Sequence, residues 1–400
     1  MRRYVRYKSK NRRAQIFGQV EVGNFRLRTE KKNWRFRNRS GNGDRIRPTA
    51  QDFLGRKKIG GRRFTGVRIM ESSEIGVVIQ GAVYPQITAK SVASARRILP
   101  HAHIILSTWE GADTRGIEGC DEILYNTDPH HVGVEYPCNL NRMIVSTLAG
   151  LRRLKTKYAL NMRTDFTLES SNFLRIFEEN PRTDCGMKFL TRRVVCYGWT
   201  AEPGRYYQMG DFYHFGLTRD VLDIWNTPQM SDEEMFWFRN GHVPAEPSLL
   251  AWIPVRYHAE QYLWLNFLRR KGVNLDFIDY TDPRKKHAEI SERSFSDNLI
   301  FASFVEFSVF AHREHLFRYN IGDGRRVSTF LDWVRICRRY NPHYTPVFVP
   351  LKYRRKIALY FSNIARIVSC AIPVRKYRRK FRTAADEIFV RIFINSVNHR

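Results

Sequence analysis

Cysteine is sparse and scattered. The six residues Cys120, Cys138, Cys185, Cys196, Cys337 and Cys370 form no C-x-x-C pair and no tight Cys/His cluster. That pattern excludes a zinc-finger-type site and a dense disulfide framework, and implies free thiols in a reducing compartment. His312-x-x-His315 offers one possible metal pair with no third ligand near it in sequence. Long apolar runs are missing too: no stretch of ~18 uncharged apolar residues occurs, so no membrane-spanning helix is expected. The opening Met1-Arg-Arg-Tyr-Val-Arg-Tyr-Lys8 lacks the apolar run of a secretory signal, and a cytoplasmic location is expected. No P-loop, G-x-G-x-x-G or G-x-S-x-G is present, which disfavours the common NTPase, dinucleotide and hydrolase classes.

Acidic residues are the scarcer charge, 39 Asp+Glu against 68 Lys+Arg, for a formal net charge of +29 over 400 residues. The excess is uneven. Residues 1–73 hold 22 basic against 5 acidic side chains, and residues 351–400 hold 13 against 2. The 74–350 segment is nearly balanced, with 33 against 32. A neutral body with basic appendages fits this distribution better than a folded nucleic-acid platform, although a nucleic-acid-binding protein working through its basic ends stays open as the second reading. The expected organisation is a largely disordered basic arm over 1–73, a globular domain over 74–350 and a basic-apolar tail over 351–400.

Within the body, strand and helix patterns alternate. Strands are predicted at Ile75–Gln80, His103–Trp109, Glu122–Tyr125 and Tyr158–Met162, with helices over 88–99 and 141–154 between them. This β-α-β-β-α-β order implies an α/β fold with a parallel-leaning sheet covered by helices. Further on, helices are predicted over 172–179, 231–238 and 260–271, and strands over 186–190, 194–199 and 273–279. In the tail, Ile357–Val374 interleaves apolar residues between Arg354-Arg-Lys356 and a basic run ending at Lys380. That pattern suits either an anionic membrane surface or a terminal helix packed on the domain.

The candidate site follows from where the strands stop, because ligands of open α/β sheets bind beyond the carboxyl ends of the strands. Gln80-Gly81 closes the first strand, with Gly81 allowing close backbone approach and Gln80 able to bond a base or ribose. Arg163-Thr164-Asp165 closes the fourth: Arg163 presents a fork of donors for phosphate, and Asp165 is a candidate ligand for a divalent cation, Mn²⁺ or Mg²⁺. Asn141 and Arg142 open a helix, where amide groups favour anions. Asp211, set among Phe212, Tyr213, His214 and Phe215, is a candidate base with a raised pKa, and Glu260 at a helix start is another.

Taken in order, Val77-Val-Ile-Gln-Gly81, Ile104-Ile-Leu-Ser-Thr-Trp-Glu-Gly111, Asp128-Pro129, Asn139-x-Asn-Arg142, Met162-Arg-Thr-Asp165, Gly210-Asp-Phe212 and Glu260-Gln-Tyr-Leu263 resemble the WavE lipopolysaccharide-synthesis family. The similarity spans roughly 75–300 and leaves the basic ends outside. It implies a GT-A-like glycosyltransferase that moves a sugar from a nucleotide-diphosphate donor to a surface polysaccharide or lipopolysaccharide-type acceptor, a glycan or lipid-linked glycan. On this chain Gln80 and Gly81 would lie by the nucleotide, Arg142 near the phosphates, and Asp165 in the place of the metal-binding motif; Thr108, Asn141 and Arg163 complete the candidates for nucleotide-sugar binding. One departure stands out: GT-A motifs carry two carboxylates, and here the first position is Arg163. Membrane-peripheral placement on the inner face of the plasma membrane goes with this reading, and an inactive transferase-like scaffold is a third possibility.

Overall fold

The computed structural model describes residues 70–350 except 131–133, 181–183, 199–205, 247–252 and most of 314–328, together with parts of 360–388. Residues 1–69 of the expected 1–73 arm, and His315, lie outside the described residues.

A seven-stranded sheet organises the body. Its first strand, β1 (Ile75–Gln80), is buried along its whole length and lies between β2 (His103–Trp109) and β4 (Tyr158–Arg163), parallel to both. Its unbroken apolar run is what burial on both faces demands. β3 (Glu122–Asn126) extends the parallel half beside β2. On the other side, β7 (Met209–Leu217) runs antiparallel to β4, β6 (Val194–Gly198) antiparallel to β7, and β8 (Leu299–Phe301) parallel to β6. The order is therefore β3-β2-β1-β4-β7-β6-β8, the mixed, mostly parallel, helix-flanked sheet expected of a GT-A-like fold.

Helices α1 (Pro85–Ile98) and α2 (Leu140–Arg153) supply the crossovers of the parallel half. Helix α2 packs close because Gly150 faces Val78: an added Cβ would come within 2.4 Å of a Val78 methyl, and a β-branched side chain in a central strand has nowhere to move. Further helices are α3 (Asn172–Glu179), α4 (Thr218–Trp225), α5 (Asp232–Met235), α6 (Ala259–Arg270), α7 (Lys286–Asn298), α8 (Phe304–Phe307) and α9 (Phe330–Tyr340). A small second sheet pairs β5 (Phe166–Leu168) antiparallel with β9 (Val309–Ala311).

Two predicted strands are not strands. Over 186–190, the amides of Met187, Phe189 and Leu190 donate to the side chains of Asp297 and Asn298 at the end of α7, so side-chain acceptors take the place of a neighbouring strand. Residues 273–279 keep a two-residue alternation of exposure, which misled the periodicity reading, yet pair with no strand. The predicted helix over 231–238 stops early at Met235, after the expected Ser231 cap on the Glu234 amide.

One buried polar group in the sheet has a measurable consequence. His214 of β7 is fully buried, accepts a hydrogen bond at Nδ1 from Trp225 Nε1 (3.3 Å), and burial pushes its pKa down to about 3. The folded state therefore resists a proton that the unfolded chain takes up near its ordinary value of about 6.5. Stability contributed by neutral His214 is complete above that value and is lost as pH falls through the window between the two. Urea denaturation from pH 7 to pH 4 is expected to show stability declining with acid, and a His214→Leu variant a shallower decline. Equal slopes would remove His214 from this role.

Candidate functional site

The carboxyl ends of β1, β2 and β4 meet the start of α2 around a hollow of about 330 Å³. Gln80, Gly81, Arg142, Arg163 and Asp165 all line it, with Trp109 at the end of β2 and Tyr84 just before α1. The strand-end residues singled out from sequence thus share one cavity.

Local geometry explains each placement. Gln80 stands opposite Ser107 and Arg163 in the two ladders, and its Oε1 accepts a hydrogen bond from Ser146 of α2 at 2.9 Å, which fixes the amide at the cavity floor. Gly81 has φ +119°, a conformation that L side chains rarely adopt, and its amide donates to Ser107 as the chain leaves the sheet. The turn after β4 is tied back by the Thr164 amide to the Gln80 carbonyl and by the Thr164 hydroxyl to the Ala82 carbonyl. These two bonds hold Arg163 and Asp165 against β1 on either side of Thr164.

The cavity is built around charge. Arg163 donates from Nε and Nη2 to the two carboxylate oxygens of Asp165, at 2.8 and 2.7 Å. Its guanidinium also lies 5.7 and 5.6 Å from the ring centres of Phe166 and Phe212. Burial alone would lower the Arg163 pKa, but the bond to Asp165 and the charges of Asp165 and Asp211 hold it above its ordinary value. On the α2 side, Arg142 forks onto Asp128, with bonds of 2.9 and 2.6 Å, and that pairing holds the Asp128 carboxyl below the usual range. Both guanidiniums are held in place by a carboxylate partner, as a preformed anion site requires.

Other predicted residues are elsewhere. Asn141 is locked to the loop before α5: its amide donates to the Met230 carbonyl and its oxygen accepts from the Met230 amide. Its side chain is thereby committed to the scaffold. Thr108 is fully buried in β2 and absent from the cavity lining. Asp211 is buried on β7, where burial pushes its carboxyl up against the opposing pull of Arg163; Oδ1 has no hydrogen-bond partner among the described residues. Asp211 is not among the residues that line the cavity, although its charge acts on Arg163, which is. Glu260, half-buried on the first turn of α6, lies close enough to Cys138 to reinforce the upward shift that burial imposes on that thiol.

The residues as folded do not fit the divalent cation expected at Asp165. No group of three His, Cys, Asp or Glu side chains that could hold a metal occurs among the described residues. Asp165 itself is 1% exposed with both oxygens in the Arg163 fork, so a cation there would displace one guanidinium and face the others. Hard cations need open carboxylate oxygens and tolerate adjacent positive charge poorly.

Sequence reasoning missed Arg313, which lines the same cavity from far along the chain. The β5–β9 ladder brings it there: Phe166 pairs with Ala311, and the His312 amide donates to the Asp165 carbonyl at 3.0 Å, leaving Arg313 beside the β4 turn. The only sequence cue was the short apolar run Val309-Phe-Ala311 before it.

Among solved structures, the chain is similar to 4-diphosphocytidyl-2C-methyl-D-erythritol synthase from Anaerococcus prevotii, with 12% identity, 42% of this chain and 84% of that chain covered, and a TM-score of 0.25. It is also similar to the galactosyltransferase LgtC in complex with donor and acceptor sugar analogs, with 11% identity, coverage of 48% and 70%, and a TM-score of 0.28. An active-site mutant of LgtC matches at 10% identity, coverage of 58% and 73%, and a TM-score of 0.29. These likenesses are too slight to assign an activity. No curated protein matches the sequence. The family model for WavE lipopolysaccharide synthesis matches residues 75–368, well beyond the expected end near 300 and into the basic tail. The chain belongs to the WavE lipopolysaccharide-synthesis family.

Proposed function

We propose that the protein is a glycosyltransferase that moves a sugar from a nucleotide-diphosphate donor to a lipopolysaccharide-type or other surface polysaccharide acceptor. The carrying observation is the shared cavity at the strand ends, where Gln80, Gly81, Arg142, Arg163 and Asp165 converge. In this reading the base lies near Gln80 and the Trp109 ring, and the diphosphate lies across Arg142 and Arg163. An acceptor hydroxyl attacks the anomeric carbon, the bond from that carbon to the diphosphate breaks, and the departing diphosphate takes the electron pair onto the arginines. Glu260 is the carboxylate we assign to the acceptor's proton; Asp211, whose charge acts on Arg163, is assigned a positioning role.

We assign catalysis to 74–350 and membrane contact to 351–400. No helix among the described residues is long and apolar enough to cross a membrane. The tail instead exposes apolar side chains such as Ile367 (73%) and Tyr377 (60%) beside Arg375 and Lys376. Its described residues fold back on themselves, with Arg382 donating to the Ser369 hydroxyl at 2.6 Å. Apolar and basic groups on one exposed segment suit the inner, anionic face of the plasma membrane, where a lipid-linked acceptor would be met.

The test is a thermal-shift screen of the full chain against nucleoside diphosphates. The matching nucleotide, at ~100 times its dissociation constant, is expected to add about 2.7 kcal/mol of stability. A screen in which no nucleotide shifts the transition removes the donor-binding assignment.

A further inference from the structure

Arg313 is the cation of the cavity with the fewest commitments. Arg163 spends two nitrogens on Asp165, and Arg142 spends two on Asp128 and a third on Asn139 at 3.3 Å. The Arg313 side chain makes no hydrogen bond among the described residues; only its backbone carbonyl does, accepting from the Leu316 amide. Its Nε stands 3.8 Å from Asp165 Oδ2, its guanidinium carbon lies 5.5 Å from the Tyr84 ring centre, and its side chain is 41% exposed. Asp165, 1% exposed, therefore faces two guanidiniums from elements that meet only in the folded chain. Asp165 takes two nitrogens of Arg163 and none of Arg313 within hydrogen-bond distance, so donors of both groups remain for the cavity that they line.

From this arrangement we infer that Arg313 and Arg163, braced on Asp165, form with Arg142 a guanidinium clamp that neutralises the diphosphate of the donor without a metal ion. The inference rests on the donor-binding reading above and deepens it. Asp165 becomes the brace that sets the spacing of two forks instead of a cation ligand. Arg163 Nη1 has donors left to give, and the whole Arg313 guanidinium can take two phosphate oxygens in a bidentate bond. A divalent cation supplies charge neutralisation at one point; three guanidiniums supply it across both phosphates and also accept the charge that develops as the diphosphate departs. The β5–β9 ladder and the His312–Asp165 bond fix the backbone at Arg313 beside the β4 turn before ligand arrives, which lowers the ordering cost of binding.

The experiment is isothermal titration of the full chain with inorganic pyrophosphate and with a panel of nucleoside diphosphates, in EDTA and in Mn²⁺. Affinity for pyrophosphate and for the matching nucleotide is expected to be the same in both buffers. Arg313→Gln removes the guanidinium while keeping a polar side chain, and is expected to weaken both ligands roughly tenfold or more, as loss of hydrogen bonds to a charged group does. Affinity for the parent nucleoside, which has no phosphate, should be unchanged in this variant, whereas a general structural defect would lower it. Nucleotide binding that requires Mn²⁺ overturns the metal-free clamp while leaving the transferase reading intact. Wild-type affinity in Arg313→Gln removes Arg313 from it. If no nucleoside diphosphate binds in either buffer, the donor-binding reading fails and the clamp fails with it.

Discussion

Arg163→Ala is expected to cut sugar-donor turnover by roughly 10²–10³-fold, the loss typical when one preorganised donor to a developing anion is removed. The same change carries a structural cost that has to be separated from the catalytic one. Asp165 is 1% exposed, and removing its bidentate partner leaves a buried carboxylate with only Arg313 at 3.8 Å. Breaking a buried pair by deleting one member costs about 3–5 kcal/mol, so the variant should unfold at distinctly lower urea concentration. Arg163→Lys separates the two effects. Lysine keeps the charge and part of the pairing but loses the planar fork, so it should recover most of the stability and little of the turnover. Steady-state kinetics with the matching donor, read beside urea curves for both variants, checks this. Turnover that follows stability in both variants would reduce Arg163 to a structural residue.

The second large effect concerns the tail. Neutralising Arg375, Lys376, Arg378 and Lys380 to Gln is expected to weaken association with phosphatidylglycerol-containing vesicles by about 4 kcal/mol in total, roughly a thousandfold, at about 1 kcal/mol per basic residue near an anionic surface. Donor turnover on a soluble acceptor analogue should be unaffected, because the strand-end cavity lies in the sheet and not in the tail. Co-sedimentation with vesicles of graded anionic content measures the first, and raising the salt should mimic the substitutions by screening. Vesicle binding that survives all four changes would mean that the basic residues of the tail do not make the contact.

The two effects rest on features of very different legibility. The parallel half of the sheet was readable because β1, β2 and β4 are buried runs with few polar interruptions, set between helices of clear 3.6-residue period. Helix α3 was readable to the residue. The half beyond β4 was harder, since its turns and irregular stretches are held by side chains from distant helices. Asp297 and Asn298 replace a strand for residues 186–190, and neither residue carries a local sign of doing so. Within the site, Asn141 shows the same limit. Its helix-start position pointed to an anion, but its two bonds go to Met230, 89 residues away.

The amino-acid sequence alone determined the class of the fold, the rim at which polar residues collect, and the family, because buried strands and their polar ends leave local, periodic marks. Only the tertiary structure decided that both oxygens of Asp165 are held by Arg163, that Asp211 is not in the cavity lining, and that Arg313 is. Those facts depend on strand pairing between segments far apart in the chain, above all the β5–β9 ladder. A pairing partner is chosen by the packing of the whole core, and no residue records it by its own identity.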